Sequence, residues 1–106
     1  GANANGILAF EIVLNTMAML NHANLHIPNN VEKYLRILFI TPQVHIIHHS
    51  IEKNESDTNF GFNFSVWDYI FKTYRSSFSS SGVVGQKGFR TPKDHLILNL
   101  LLQPFR

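Results

Sequence analysis

The sequence predicts an all-α chain of one domain, and three observations carry that prediction. Two apolar runs, residues 7–20 and the closing "HLILNLLLQPF", have the length and composition of helices. Pro28 and Pro42 fall between the apolar segments rather than inside them. In "VHIIHHS", His45, His48 and His49 are spaced three and four apart, the spacing that brings side chains together on one helical face. A length of 106 residues suits a single domain with a modest core.

In order along the chain, only Glu11, Asn15 and Thr16 interrupt "ILAFEIVLNTMAML", residues 7–20. Their positions fall roughly on one helical stripe, which leaves the rest of the helix to face core or lipid. Pro28 with Asn29 and Asn30 closes this region, because a residue preceding proline is pushed out of the α conformation. A second helix is expected from about Val31 to Phe39, with Val31, Leu35 and Leu38 on one face. Thr41 and Pro42 end it, and Pro42 suits the first turn of the histidine helix, where its missing N–H has no partner to lose. The polar "IEKNESDTN" reads as a loop. In "FGFNFSV", Phe60, Phe62, Phe64 and Val66 alternate with small or polar residues, a period of two that predicts a strand; the same aromatic face suits a membrane interface. "WDYIFKTY" predicts a short amphipathic helix. "SSFSSSG", residues 76–82, reads as a flexible loop that Gly85 and Gly88 extend, and Pro104 is expected to stop the last helix.

Composition removes several classes of function. Basic residues are scattered singly and the net charge is only +2, so a nucleic-acid partner is not expected. With no cysteine, disulfides, thiolate nucleophiles, iron–sulfur clusters and thiolate zinc sites are excluded, and any metal must take nitrogen or oxygen ligands. No uninterrupted apolar run reaches the ~18 residues of a transmembrane helix, and no signal peptide is visible, so hydropathy alone assigns no membrane segment. The chain opens on Gly1 rather than Met, which predicts a piece of a longer protein.

Imidazole is a common ligand for iron, zinc, copper and nickel. A single histidine is ordinarily a satisfied or exposed side chain, and His95 takes that reading. The triplet differs, because three neutral imidazoles on one face gain little as core and compete for hydrogen-bond partners. His22 and His26 add an i, i+4 pair, although Pro28 lies close by. Five histidines in two clusters, His22, His26, His45, His48 and His49, exceed what one tetrahedral zinc needs, and no glutamate stands between His22 and His26 as a hydrolase base. The surplus favours a two-metal site. A haem would need only one or two of these ligands.

The segments "LNHANLHIP", "TPQVHIIHHSIEKNESDTNFGFNFSVWDYIFKTY" and "LLLQPFR" together resemble the C-terminal part of the fatty acid hydroxylase superfamily, also called the sterol desaturase family. The match runs in order from Asn21 to Arg106. Residues 1–106 are then the C-terminal part of such a domain: integral membrane helices with a helical histidine-box cap. The resemblance implies an O2-dependent enzyme with two non-haem iron ions that hydroxylates or desaturates C–H bonds of a lipid such as a sterol or fatty acyl chain. It implies a membrane and an electron-transfer partner, with location in the endoplasmic reticulum of a eukaryote or the inner membrane of a bacterium. His45, His48 and His49 match the last histidine box and are expected iron ligands, as is His22; His26 fits a spacing found in some members.

The chemistry agrees with the resemblance. Cleaving an unactivated C–H bond requires a strong oxidant made from O2 and two external electrons, and nitrogen donors resist that oxidant better than thiolates. Neutral ligands call for carboxylates behind them, and Asp57 and Asp68 are the candidates, with Asn59 as a hydrogen-bond partner. Their plainer alternatives are a loop carboxylate for Asp57 and a helix cap for Asp68. Three departures from the family pattern stand out. Ile46 replaces a commonly basic residue, and Lys72 stands where glycine is usual. The earlier HxxxH and HxxHH boxes are missing, and are expected upstream of Gly1; the piece alone is therefore expected to bind iron weakly and not to turn over. The rival from another class is a non-catalytic helical module whose histidines form a structural metal cluster.

Overall fold

The computed structural model describes residues 1–105. Its helices are α1 (Ala4–Asn21), α2 (Asn29–Leu38), α3 (Pro42–His48), α4 (Lys53–Ser56), α5 (Val66–Phe71) and α6 (Ile97–Leu102), with 3-10 turns at Pro92–His95 and Gln103–Phe105. Among the described residues there is no strand. Isolated bridges join Phe39 to Phe64 and Ser50 to Val84.

Helix α1 starts three residues earlier than the apolar run, because the Asn3 side chain accepts the Asn5 N–H and caps its first turn. Its polar stripe satisfies itself: Asn15 Nδ2 donates to the Glu11 carbonyl and carboxylate on the exposed surface. Helix α3 begins at Pro42, as the sequence predicts, with Thr41 extended before it. Against α3 lies the C-terminal end of α1.

The core is small and polar. Ile40, Val44 and Ile47 are the only hydrophobic residues buried among those described, at 2% exposure or less, whereas ten polar or charged residues are buried. On α2 the buried residue is Glu32, not the Val31, Leu35 and Leu38 face. Glu32 accepts the Thr41 hydroxyl at 2.6 Å and pairs with Arg36, so a carboxylate joins α2 to the start of α3. The radius of gyration is 16.5 Å, well above the ~13 Å of a compact chain of about 100 residues. No helix among the described residues is long and apolar enough to cross a membrane.

Three sequence expectations are corrected. Residues 60–66 are not a strand: the Asp68 carboxylate takes the N–H groups of Phe60 and Gly61, which a ladder would need, and Asn59 enters the segment at φ 51°. A Cβ on Gly61 would meet the Phe64 carbonyl oxygen at 2.5 Å, so the turn requires glycine. The polar stretch 51–59 contains a helical turn, α4. The serine segment 76–82, expected to be a flexible loop, is tethered through Ser79 and Ser80 to the buried Glu55. The last helix stops as expected, α6 ending at Leu102 with Pro104 two residues on, inside the closing 3-10 turn.

Lys72 closes α5 in the left-handed conformation, φ 59° and ψ 31°. That conformation costs a residue with a Cβ about 1–2 kcal/mol and costs glycine little. This accounts for the glycine usual at the position. Lys72→Gly is expected to stabilise the protein by roughly 1 kcal/mol, read as a rise in the midpoint of thermal or denaturant unfolding.

Candidate metal centre

Three histidines from two separate elements converge. His22 is the C-cap of α1, His45 lies in α3, and His49 is the C-cap of α3. Their Nε2 atoms form a triangle with sides of 3.1 Å (His45–His49), 3.2 Å (His22–His49) and 3.3 Å (His22–His45). Hydrogen bonding alone does not account for that triangle. Each nitrogen is either a donor or an acceptor, and no assignment of three such groups makes all three sides donor–acceptor pairs. One cation facing three lone pairs satisfies every side. Metal–imidazole bonds of about 2.0–2.1 Å put neighbouring nitrogens about 3 Å apart, which is the spacing seen.

The ring orientations support ligation. His22 Nδ1–H donates to the Ala18 carbonyl at 2.8 Å, leaving its Nε2 lone pair toward the triangle. That pattern, with the far nitrogen held by a carbonyl, is how metal-ligating histidines are fixed. His48 uses the same device with the Thr58 carbonyl at 3.0 Å, but it stands outside the triangle with its ring stacked on His45. His45 Nδ1 is buried and has no hydrogen-bond partner among the described residues. His26 is exposed in the coil after α1 and is not part of the convergent group. Since α1 stops at Asn21, the i, i+4 helical pairing expected of His22 and His26 does not form.

The polar residues expected behind the ligands do other work. Asp57 is exposed and pairs with Lys53 at 2.8 Å. Asp68 is buried; Oδ1 accepts Phe60 N–H at 2.8 Å and Thr73 Oγ–H at 2.6 Å, and Oδ2 accepts Gly61 N–H at 2.9 Å. It shapes the turn after Asn59 rather than orienting an imidazole. Asn59 comes closest to its expected role, through backbone. Its Nδ2 donates to the carbonyls of Val44 and Arg75 at 3.0 Å each, and its Oδ1 accepts Arg75 N–H, which pins α3 one residue before His45. The carbonyls of Ala18 and Thr58, which do orient imidazoles, leave no mark in a sequence because every residue has one.

Burial, then the neighbouring imidazoles of His49, His22 and His48, lower the His45 pKa from 6.5 to about 4; burial likewise lowers His49. Both rings are therefore neutral near pH 7, the form that binds metal. The sign for stability follows from proton counts. Between about 6.5 and 4 the unfolded chain protonates His45 while the folded one does not, so stability falls as pH falls through that window. Metal-free protein melted across pH 7.5 to 4 is expected to show this fall, and His45→Gln to show less of it. Glu55, held at about 2 against an ordinary 4.5, gives up its stabilisation only below about 4.5.

A cavity of about 390 Å³ opens beside His22 and His49. Leu25, Pro42, Ile46 and Val84 give it apolar walls, and Asn21, Asn24 and Gln43 add amides.

The sequence profile described as fatty acid hydroxylase matches residues 2–73, and the chain belongs to that family. It is similar to the ornithine lipid hydroxylase OlsE of Rhizobium tropici, at 33% identity over 95 residues, covering 84% of this chain and 25% of the relative. The chain therefore spans about a quarter of the length of that relative. No solved structure matches.

Proposed function

We propose that this chain supplies the last histidine box of an O2-dependent, non-haem di-iron enzyme that oxidises C–H bonds of a lipid, with hydroxylation as the outcome. The observation that carries the reading is the Nε2 triangle of His22, His45 and His49. Family membership and a relative named as a lipid hydroxylase support it. His48, fixed through Nδ1, offers its Nε2 to a second ion. Bound iron supplies the redox chemistry: with O2, two electrons from an external donor and two protons, one oxygen atom enters the C–H bond and the other leaves as water. The residues of this chain hold the ligands in register and border the space for substrate. The walls of the 390 Å³ cavity suit an apolar stretch of lipid laid against His22 and His49.

Membrane attachment is part of the proposal. On α1, Ile7, Leu8, Phe10, Ile12 and Val13 are exposed, and so is every leucine and isoleucine of α6. Helices of this kind fit along a bilayer surface, with the site close to the lipid it acts on. The test is to purify the full-length protein in detergent, supply lipid, reductant and 18O2, and follow the lipid by mass spectrometry. One labelled oxygen per product is expected. Protein that holds no iron and consumes no oxygen would overturn the reading in favour of a non-catalytic module.

A further inference from the structure

Glu55 is wholly buried, yet no histidine contacts its carboxylate. Its Oε1 accepts Ser79 N–H at 2.7 Å, Ser79 Oγ–H at 3.1 Å and Ser80 N–H at 2.9 Å. Its Oε2 accepts Ser50 Oγ–H at 2.6 Å and Ser80 Oγ–H at 2.9 Å. Five donors on two oxygens make this a carboxylate clamp, with Ser50, the residue after His49, on one side and the serine segment on the other. Beyond the clamp, the chain turns at Gly82 and runs antiparallel to the exit of α3. Ile51 N–H donates to Val83 O at 3.0 Å and Gly85 N–H to His49 O at 2.8 Å, with Val84 bridged to Ser50. Val84 then lines the cavity together with His22, Ile46 and His49.

His49 has need of such support. It lies one residue past the last helical residue of α3, in a closing turn where its N–H donates to the Ile46 carbonyl at 3.1 Å and the Ser50 N–H to the Ile47 carbonyl at 3.0 Å. Asn59 steadies α3 at Val44, away from this end, and Thr58 holds the ring of His48 rather than the backbone at His49.

We propose that Glu55 is a positioning residue for the metal centre: by fastening the strap of residues 79–85 to Ser50, it fixes the backbone at His49 and holds Val84 as a wall of the cavity beside that imidazole. Glu55 acts through the strap and touches neither metal nor lipid. The inference rests on the proposed metal centre.

Glu55→Gln in the full-length protein tests it, because an amide turns an NH2 toward donors that need an acceptor. Two readouts are taken: hydrogen exchange followed by mass spectrometry, and titration with cobalt(II) read by its visible absorption. The expected result is exchange at least about tenfold faster in peptides covering residues 76–86 with α1 unchanged, together with cobalt affinity lower by about 10–100-fold and an altered spectrum. Unchanged exchange in the strap would overturn the proposal, as would a loosened strap with parental cobalt affinity and spectrum. Should Glu55→Gln not fold, the Ser79→Ala, Ser80→Ala double variant keeps the Ser50 bond and is held to the same two criteria, with smaller changes. A parent protein that binds no cobalt fails differently: it overturns the metal reading of the triangle, and the positioning role with it.

Discussion

His45→Ala is expected to lower the affinity of the full-length protein for iron(II) or cobalt(II) by at least about 100-fold, the largest effect of any single histidine change. His45 is the one buried member of the Nε2 triangle, so solvent does not readily take its place. His26→Ala serves as the contrast. It removes an exposed imidazole outside the convergent group and is expected to leave affinity within about twofold. A spectroscopic titration of parent and both variants checks the pair, and equal losses in the two variants would contradict the site as drawn. His45→Ala also removes a buried ring, so the unfolding midpoint is read alongside to separate lost ligation from lost fold.

Asp68→Asn is expected to destabilise the protein by about 2–4 kcal/mol while leaving the four triangle and box histidines in place. The carboxylate accepts three hydrogen bonds inside the structure, and an amide of the same shape sets an NH2 against at least one of those donors. Against a total stability of about 5–15 kcal/mol this is a large fraction. The turn at Phe60 and Gly61 depends on it, and through that turn so do Asn59 and its hold on Val44. Denaturant unfolding in matched detergent provides the measurement. A change below about 0.5 kcal/mol would show that the turn does not need the carboxylate.

Helix periodicity and proline placement made most of the fold legible. The bounds of α2 and the start of α3 at Pro42 follow from Pro28, Thr41 and Pro42, residues whose local preferences act without tertiary help. The period-two aromatics misled, because Asp68, eight residues beyond Phe60, takes the N–H groups that a strand would have paired. Glu55 was invisible for the opposite reason. In "IEKNESDTN" it looks like one more solvated charge, and only the return of Ser79 and Ser80 from 24 and 25 residues away buries it.

The site divides in the same way. His45 and His49 share a helical face by spacing alone, and the family pattern added His22, whose Nε2 meets theirs across 23 and 27 residues of sequence. His48 has the helical spacing too, but its Nδ1 is drawn to Thr58 and its ring stacks beside the triangle. Spacing places a Cβ; which nitrogen points where depends on the backbone carbonyl nearest the ring. Asp57 lies at the surface, paired with Lys53 one helical turn away.

The small core sets the terms for the apolar surface. With Ile40, Val44 and Ile47 the only buried hydrophobic residues among those described, the fold is held largely by polar contacts: Glu32 to Thr41, Asn59 to Val44 and Arg75, Asp68 to the 60–61 turn, and Glu55 to the serine strap. The large apolar side chains of α1 and α6 are for the most part left exposed.

Metal-edge X-ray absorption on the full-length protein, purified without chelators, decides whether the histidines hold iron. Bound iron is expected, with a first shell of nitrogen and oxygen, no sulfur, and the multiple-scattering signature of several imidazoles, reduced in His45→Ala and unchanged in His26→Ala. Protein without a bound transition metal, or a shell lacking imidazole scattering, would contradict it.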